Sequence, residues 1–214
     1  MLYSSLERIT NAILAPIRVL KDKTADKITD VLNLLEPDEN PNINPELENV
    51  NTEEIKITRM YPKNVICEYV TFFSDPTLVH DNLYLGSAYN AASYQTLMKY
   101  NIRYIINVTN EITNYYPDDF TYYRIPIRDN NIDSMQEHFS TSYEKINEYM
   151  NNKNGNILVH CYMGASRSFT VTAHYIAKTT GNNISEVTLR LKELRPNVNP
   201  TQRFLTDLIE EINK

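Results

Sequence analysis

The spacing of apolar positions changes twice along this chain. Leu2, Leu6, Ile9, Ile13, Ile17 and Leu20 recur at steps of three and four, and Ile28, Val31, Leu32 and Leu35 extend the run. Such spacing lines up one face of a helix, so residues 1–35 predict an N-terminal helical extension. Pro16 brings no backbone donor and should kink or split it. Residues 36–58 lose the pattern. Pro37, Pro41 and Pro45 stand among Asn, Asp and Glu with little to bury, which reads as an acidic linker.

From residue 59 to 214 short apolar runs alternate with helical spacing. Asn82 to Leu85 predicts a strand, Ala91 to Tyr100 a helix, and the β-branched run Ile102 to Val108 a buried strand. Thr121 to Ile127 predicts another strand. A helix from Met135 to Asn151 follows, with Phe139, Tyr143, Ile146 and Met150 inward. Asn156 to His160 is a short strand after the turn at Gly155, and Ser168 to Thr179 a helix stopped near Gly181. Asn183, with Glu186 three residues on, has the spacing of a capping box for a helix with Ile184, Val187, Leu191 and Leu194 inward. Phe204, Leu205, Leu208, Ile209 and Ile212 line a last helix after Pro200. Strands interleaved with helices predict an α/β domain, its central, mostly parallel sheet flanked by helices.

Composition narrows the function. A net charge of −6 and a pI near 5.3 argue against nucleic-acid binding, which needs a basic surface. Two cysteines, Cys67 and Cys161, make no disulfide framework, and point to a cytoplasmic or otherwise reducing intracellular home, nucleus and virion included. No run approaches the roughly 18 apolar residues of a membrane span. Arg8 and Arg18 break up any signal peptide. Mixed charges along the N-terminal helices speak against a membrane surface. Their apolar stripe is expected to dock on the main domain, on a partner, or on a second copy as a homodimer.

The chemistry concentrates in one stretch. An apolar strand, Ile157 to Val159, runs into His160-Cys161-Tyr162-Met163-Gly164-Ala165-Ser166-Arg167-Ser168 and then into a helix. A strand–loop–helix turn aims backbone N–H groups and the positive end of a helix at one point, an anion site. The amides of Tyr162, Met163, Gly164, Ala165, Ser166 and Arg167 would line it. Gly164 allows the bend, and the planar fork of Arg167 suits two phosphoryl oxygens. A thiol placed there is stabilised as thiolate, so Cys161 is the candidate nucleophile. His160 would brace the loop, and Ser168 would offer its hydroxyl to the sulfur. The leaving oxygen needs an acid, for which Asp129 is the first candidate and Asp133 the rival, with Asp118 and Asp119 more distant. Cys67 is expected to be a core thiol, with a resolving cysteine for Cys161 as the alternative.

The stretch from His160 to Ser168 resembles the signature loop of dual-specificity phosphatases, within the protein tyrosine phosphatase superfamily. The likeness runs from about Val79 to Ile212. Asn82 to Ser87 resembles the opening strand, Ile105 to Thr109 the second strand, Ile125 to Asp129 the general-acid segment, and Arg195-Pro196 with Pro200 the entry to the last helix. The resemblance implies hydrolysis of phosphotyrosine and phosphoserine or phosphothreonine in proteins, without a metal or other cofactor. Cys161 would be the nucleophile, Arg167 the phosphate binder, Asp129 the acid, and Ser168 the helper for thiolate departure. Thr201 and Ala165 depart from the usual pattern, and residues 1 to about 60 have no counterpart in it. Uncharged Tyr162, Met163 and Ala165 weigh against phosphoinositides and RNA 5′-phosphates, which call for extra cations. A non-catalytic phosphoprotein-binding module is the alternative of a different class.

Overall fold

In this computed structural model residues 70–214 are described, and the structural statements below concern them. The expected N-terminal helices, the linker and Cys67 lie outside the described residues.

Residues 70–73 form a helical turn, followed by β1 (Thr77–His80) and β2 (Leu83–Gly86). Helices α1 (Ala88–Ala92) and α2 (Tyr94–Lys99) lead to β3 (Ile102–Asn107), and β4 (Thr121–Arg124) comes next. After a 3-10 turn at Gln136–His138 come α3 (Phe139–Asn152), β5 (Asn156–His160), α4 (Arg167–Thr180), α5 (Ile184–Leu194) and α6 (Gln202–Ile212). The five strands lie in the order β1-β2-β5-β3-β4. Only β1 with β2 is antiparallel. The sheet is therefore mostly parallel, as expected.

Alternation along the strands divides the core in two. Leu83, Leu85, Ile106, Ile157 and Val159 face the side covered by Phe139, Phe169, Val187, Leu191, Phe204 and Leu208 of α3 to α6. Ile102, Ile105 and Leu158 face the other side, against Ala91 of α1 and Leu97 of α2. Period-two placement of apolar residues on strands buried on both faces produces these layers. The register aligns Gly86 and Asn107 with His160, and Arg124 with Asn107, so four strands end in one row. Loops leaving that row meet at the carboxyl edge of the sheet, where α/β folds place their sites.

Several expectations need correction. Strand β1 was not foreseen, since four edge residues with one buried position carry almost no pattern. The single helix expected over Ala91 to Tyr100 is two, broken at Ser93, whose hydroxyl accepts from the Thr96 amide to start the second. A reciprocal capping box forms at Ser87 and Asn90. At Asn183 the asparagine half of the expected box is present, Oδ1 accepting from the Glu186 amide at 2.9 Å. The strand at Thr121 ends at Arg124, because the chain turns at Ile125, whose carbonyl accepts from Ile127 N, ahead of a proline that cannot donate. Leu194 and Ile209 are largely exposed, at 44% and 40%, so each terminal stripe is narrower than its apolar spacing suggests.

His174 of α4 is buried beside Phe139, with ring centroids 4.5 Å apart, and neither ring nitrogen has a hydrogen-bond partner. Burial, with Lys178 nearby, holds its pKa down at about 4, against an ordinary 6.5. The unfolded chain thus binds the extra proton between pH 6.5 and 4, and stability falls across that window on acidification. His160, held at about 4 by burial, adds to the fall. In thermal melts between pH 7 and 4, His174→Leu should show a shallower decline than the wild type. An equally steep decline would refute this account of His174.

Candidate active site

The loop from His160 to Ser168 leaves β5 between β2 and β3, and each of its carbonyls has a partner. His160 O accepts from the Val108 amide at 2.8 Å, and Cys161 O lies 3.3 Å from His160 Nδ1. A carbonyl only accepts, so Nδ1 carries the proton of a neutral imidazole. Tyr162 O accepts from the Ala88 amide (2.9 Å), Met163 O from Arg195 Nη2 and Asn197 Nδ2 (3.2 Å each), and Gly164 O from Arg195 Nε (2.9 Å). Ala165 O accepts from the Asn199 amide, and Ser166 O from the Thr170 amide and hydroxyl, all at 2.9 Å. The peptides are trans. In a trans peptide the N–H points opposite to the C=O, so carbonyls held outward turn the following amides inward. The amides of Met163, Gly164, Ala165 and Ser166 donate to no acceptor among the described residues. At the N-cap of α4 the Ser166 side chain makes no bond to the helix amides, leaving first-turn amides open as well.

Gly164 makes this winding feasible. Its φ is +72°, and a Cβ there would sit 2.5 Å from Gly86 O and 2.6 Å from Arg195 Nη2. Only glycine fits so close a backbone crossing.

Inside the ring, Ser168 Oγ donates to Cys161 Sγ at 3.1 Å, both groups being buried. Arg167 Nη1 lies 2.8 Å from both carboxylate oxygens of Glu111 and donates to Ile127 O at 3.2 Å. Its buried Nε has no hydrogen-bond partner and is 3.5 Å from Asp129 Oδ2. Burial works against the Arg167 charge, but Cys161, Glu111 and Asp129 outweigh it and raise the pKa. Asp129 Oδ1 accepts from Ser166 Oγ at 2.7 Å. The structure therefore brings together Cys161, Arg167, Ser168 and Asp129, with His160 bracing the loop from behind.

The rival acids are placed differently. Asp133 is gripped by Arg128 through Nη2 (2.8 Å), Nε (3.1 Å) and the amide (3.2 Å), which hold its pKa down at about 2. Asp118 and Asp119 are exposed in the turn before β4.

Two participants were missed from sequence. Glu111 sits in a loop pinned by Asn107 Nδ2 on Ile112 O, the Thr109 hydroxyl on Asn107 Oδ1, and Arg124 on the Thr109 and Asn110 carbonyls. Nothing but a lone exposed acid marked it. Arg195 had been read only as part of a helix entry, yet it is fully buried and its donors hold the loop. Burial pulls its pKa down to about 10, so it stays charged at neutral pH. Among the described residues no group of three or more His, Cys, Asp or Glu could hold a metal ion, and no helix is long and apolar enough to cross a membrane.

The sequence profile of the dual specificity phosphatase catalytic domain matches residues 83–214. The chain belongs to the dual-specificity phosphatase family. Protein phosphatase Slingshot homolog 1 of Homo sapiens is 30% identical over 204 residues, covering 95% of this chain and 18% of that protein. The chain thus spans under a fifth of that relative's length. An alignment this long takes in most of residues 1 to about 60, for which the family's loop and strand pattern had supplied no counterpart. Human dual specificity protein phosphatase 9 is 35% identical over 139 residues, 64% of this chain and 36% of that protein. Among solved structures, DUSP15 is 32% identical with a TM-score of 0.61, covering 64% of this chain and 86% of that one. Human DUSP28, 21% identical with a TM-score of 0.62 over 65% of this chain and 94% of that one, shares the fold.

Open loop amides beside a guanidinium fork suit a tetrahedral oxyanion such as vanadate, and Glu111 tests how the fork is held. Loss of one charge-assisted partner predicts about tenfold weaker vanadate binding for Glu111→Ala, and a smaller loss for Glu111→Gln. Because Glu111 is 43% exposed, the melting temperature should barely change. Unaltered vanadate affinity in Glu111→Ala would show that Arg167 needs no such partner.

Proposed function

We propose that this chain hydrolyses phosphotyrosine and phosphoserine or phosphothreonine in protein substrates through a phosphocysteine on Cys161. The observation that carries this reading is the Cys161 sulfur, bonded by Ser168 and placed in a loop whose carbonyls are all drawn outward. Inward amides and the Arg167 fork present donors to three phosphoryl oxygens. The Cys161 sulfur attacks phosphorus in line with the leaving oxygen. As the S–P bond forms and the P–O bond breaks, Asp129 gives its proton to the departing alkoxide or phenoxide. Water then attacks the phosphocysteine. Asp129 takes its proton, the S–P bond breaks, and the Ser168 hydroxyl receives the returning thiolate.

Asp129 is favoured over Asp133 by position and by company. Asp129 lies beside Arg167 and Ser166, whereas Asp133 has its oxygens committed to Arg128. The engagement of the local cations supports protein substrates over phosphoinositides and RNA 5′-phosphates. Arg128 is taken by Asp133, Arg124 by carbonyls, and Arg195 is buried, so extra phosphates find no ready partner. A pure binding module remains the second reading. Its support is the 26% identity and TM-score of 0.60 to the structure of human tyrosine phosphatase-like serine/threonine/tyrosine-interacting protein. Against it, Cys161, Arg167 and Asp129 are all present and assembled.

The test uses the full chain and para-nitrophenyl phosphate in EDTA. The wild type should turn over and vanadate should inhibit it. Cys161→Ser should abolish turnover, and Asp129→Ala should lower kcat by roughly 10²–10⁴-fold, the usual scale for a lost acid. Turnover surviving in Cys161→Ser would exclude the mechanism. An inert wild type would favour the binding module.

A further inference from the structure

The segment that carries Asp129 also holds an isoleucine out in water. Ile132 is 83% exposed, the highest value among the large hydrophobics of the described residues. This exposure is built in. Asn130 Oδ1 accepts from the amides of Ile132 (2.9 Å) and Asp133 (2.7 Å), and the Arg128 fork grips Asp133 from the other side. A turn bonded on both flanks keeps the side chain in solvent, where it gains nothing for the fold. Three residues span at most about 10 Å of chain, so Ile132 lies within that reach of Asp129. An extended peptide rises about 3.3 Å per residue, which brings side chains one or two positions from a phosphorylated residue into the same range.

The charges nearby decide what those side chains should be. Glu111 and Asp129 are carboxylates beside Arg167, Asp133 follows four residues after Asp129, and the guanidiniums of Arg128 and Arg167 are already engaged with them. An acidic flank would meet carboxylates and no open cation. The partly exposed loop positions Tyr162, Met163 and Ala165 are uncharged.

Resting on the phosphatase reading above, we propose that Ile132 is a specificity residue. It selects phosphoprotein segments that carry an apolar or aromatic side chain within two positions of the phosphorylated residue, and disfavours segments with acidic flanks. The apolar side chain covers Ile132 as the phosphoryl group enters the loop, so the preference is expressed in KM.

Two phosphotyrosine peptides that differ only in Leu or Asp at those flanking positions test it on the full chain. The wild type should show about tenfold higher kcat/KM on the Leu peptide, the scale of a modest apolar contact. Ile132→Ser should shrink that ratio below about threefold by raising KM for the Leu peptide. Ile132→Lys should raise kcat/KM on the Asp peptide above the wild-type value, which a merely loosened turn would not do. Equal ratios in the wild type, or an unchanged ratio in Ile132→Ser, would overturn the inference. So would a dimer of the wild type that Ile132→Ser converts to monomer in sedimentation, since the surface would then belong to a second copy. Turnover of para-nitrophenyl phosphate separates the failures. An enzyme active on it with no peptide preference loses this inference alone, while an inert one loses the phosphatase reading too.

Discussion

The outward pull on the carbonyls of residues 160 to 166 is the constraint on which the site depends. The partners come from five parts of the fold: the β3 end, the start of α1, His160 at the end of β5, the segment from Arg195 to Asn199, and α4 itself. A buried carbonyl left without a partner costs about 1–3 kcal/mol, so turning the loop inside out would forfeit several such bonds together. The amides are thus fixed inward before any ligand arrives. That is preorganisation in a physical sense, because no dipole has to reorient when charge appears. Gly164 is the point where the winding is tightest, pressed against Gly86 at the end of β2.

Charge is distributed around this frame in layers. Arg195 is fully buried and has no carboxylate partner among the described residues, its donors spent on carbonyls and the Thr77 hydroxyl. Arg167 has one nitrogen committed to Glu111 and Ile127, and its Nε, without a hydrogen bond, faces Asp129 Oδ2 at 3.5 Å. The segment carrying Asp129 is tied at its far end, where Asp207 of α6 accepts from the Ser134 hydroxyl (2.8 Å) and the Met135 amide (2.7 Å). Ser166 links the two halves, donating to Asp129 while accepting from the Thr201 amide at 3.3 Å. Packing of α6 therefore bears on the position of the acid segment, and folding and chemistry share the same contacts.

Much of this was legible in the amino-acid sequence, and the exceptions have physical reasons. The buried strands β3 and β5 and the long helices declared themselves because burial on a face leaves a periodic trace. Strand β1 left none, since four edge residues need little burial, and the break at Ser93 was hidden in a run of helical spacing. At the site, Cys161, Arg167 and Ser168 were legible because strand, loop and helix are contiguous there. Asp129 followed from its place just beyond a strand end, although β4 stops at Arg124. Glu111 and Arg195 were not legible in their roles. Both act across long sequence separations, 56 residues from Arg167 for Glu111 and 31 from Gly164 for Arg195. Pairings of that kind are fixed by the sheet order and have no local signature.

The central claim is that phosphate passes through the Cys161 sulfur, and it can be measured directly. The full chain is mixed with a phosphotyrosine peptide, stopped in acid during turnover, digested, and the phosphate located by mass spectrometry. The account predicts a single phosphate on the fragment containing Cys161, present during turnover and gone once substrate is exhausted. Sustained turnover with that fragment never phosphorylated, or with phosphate on another residue, would contradict it.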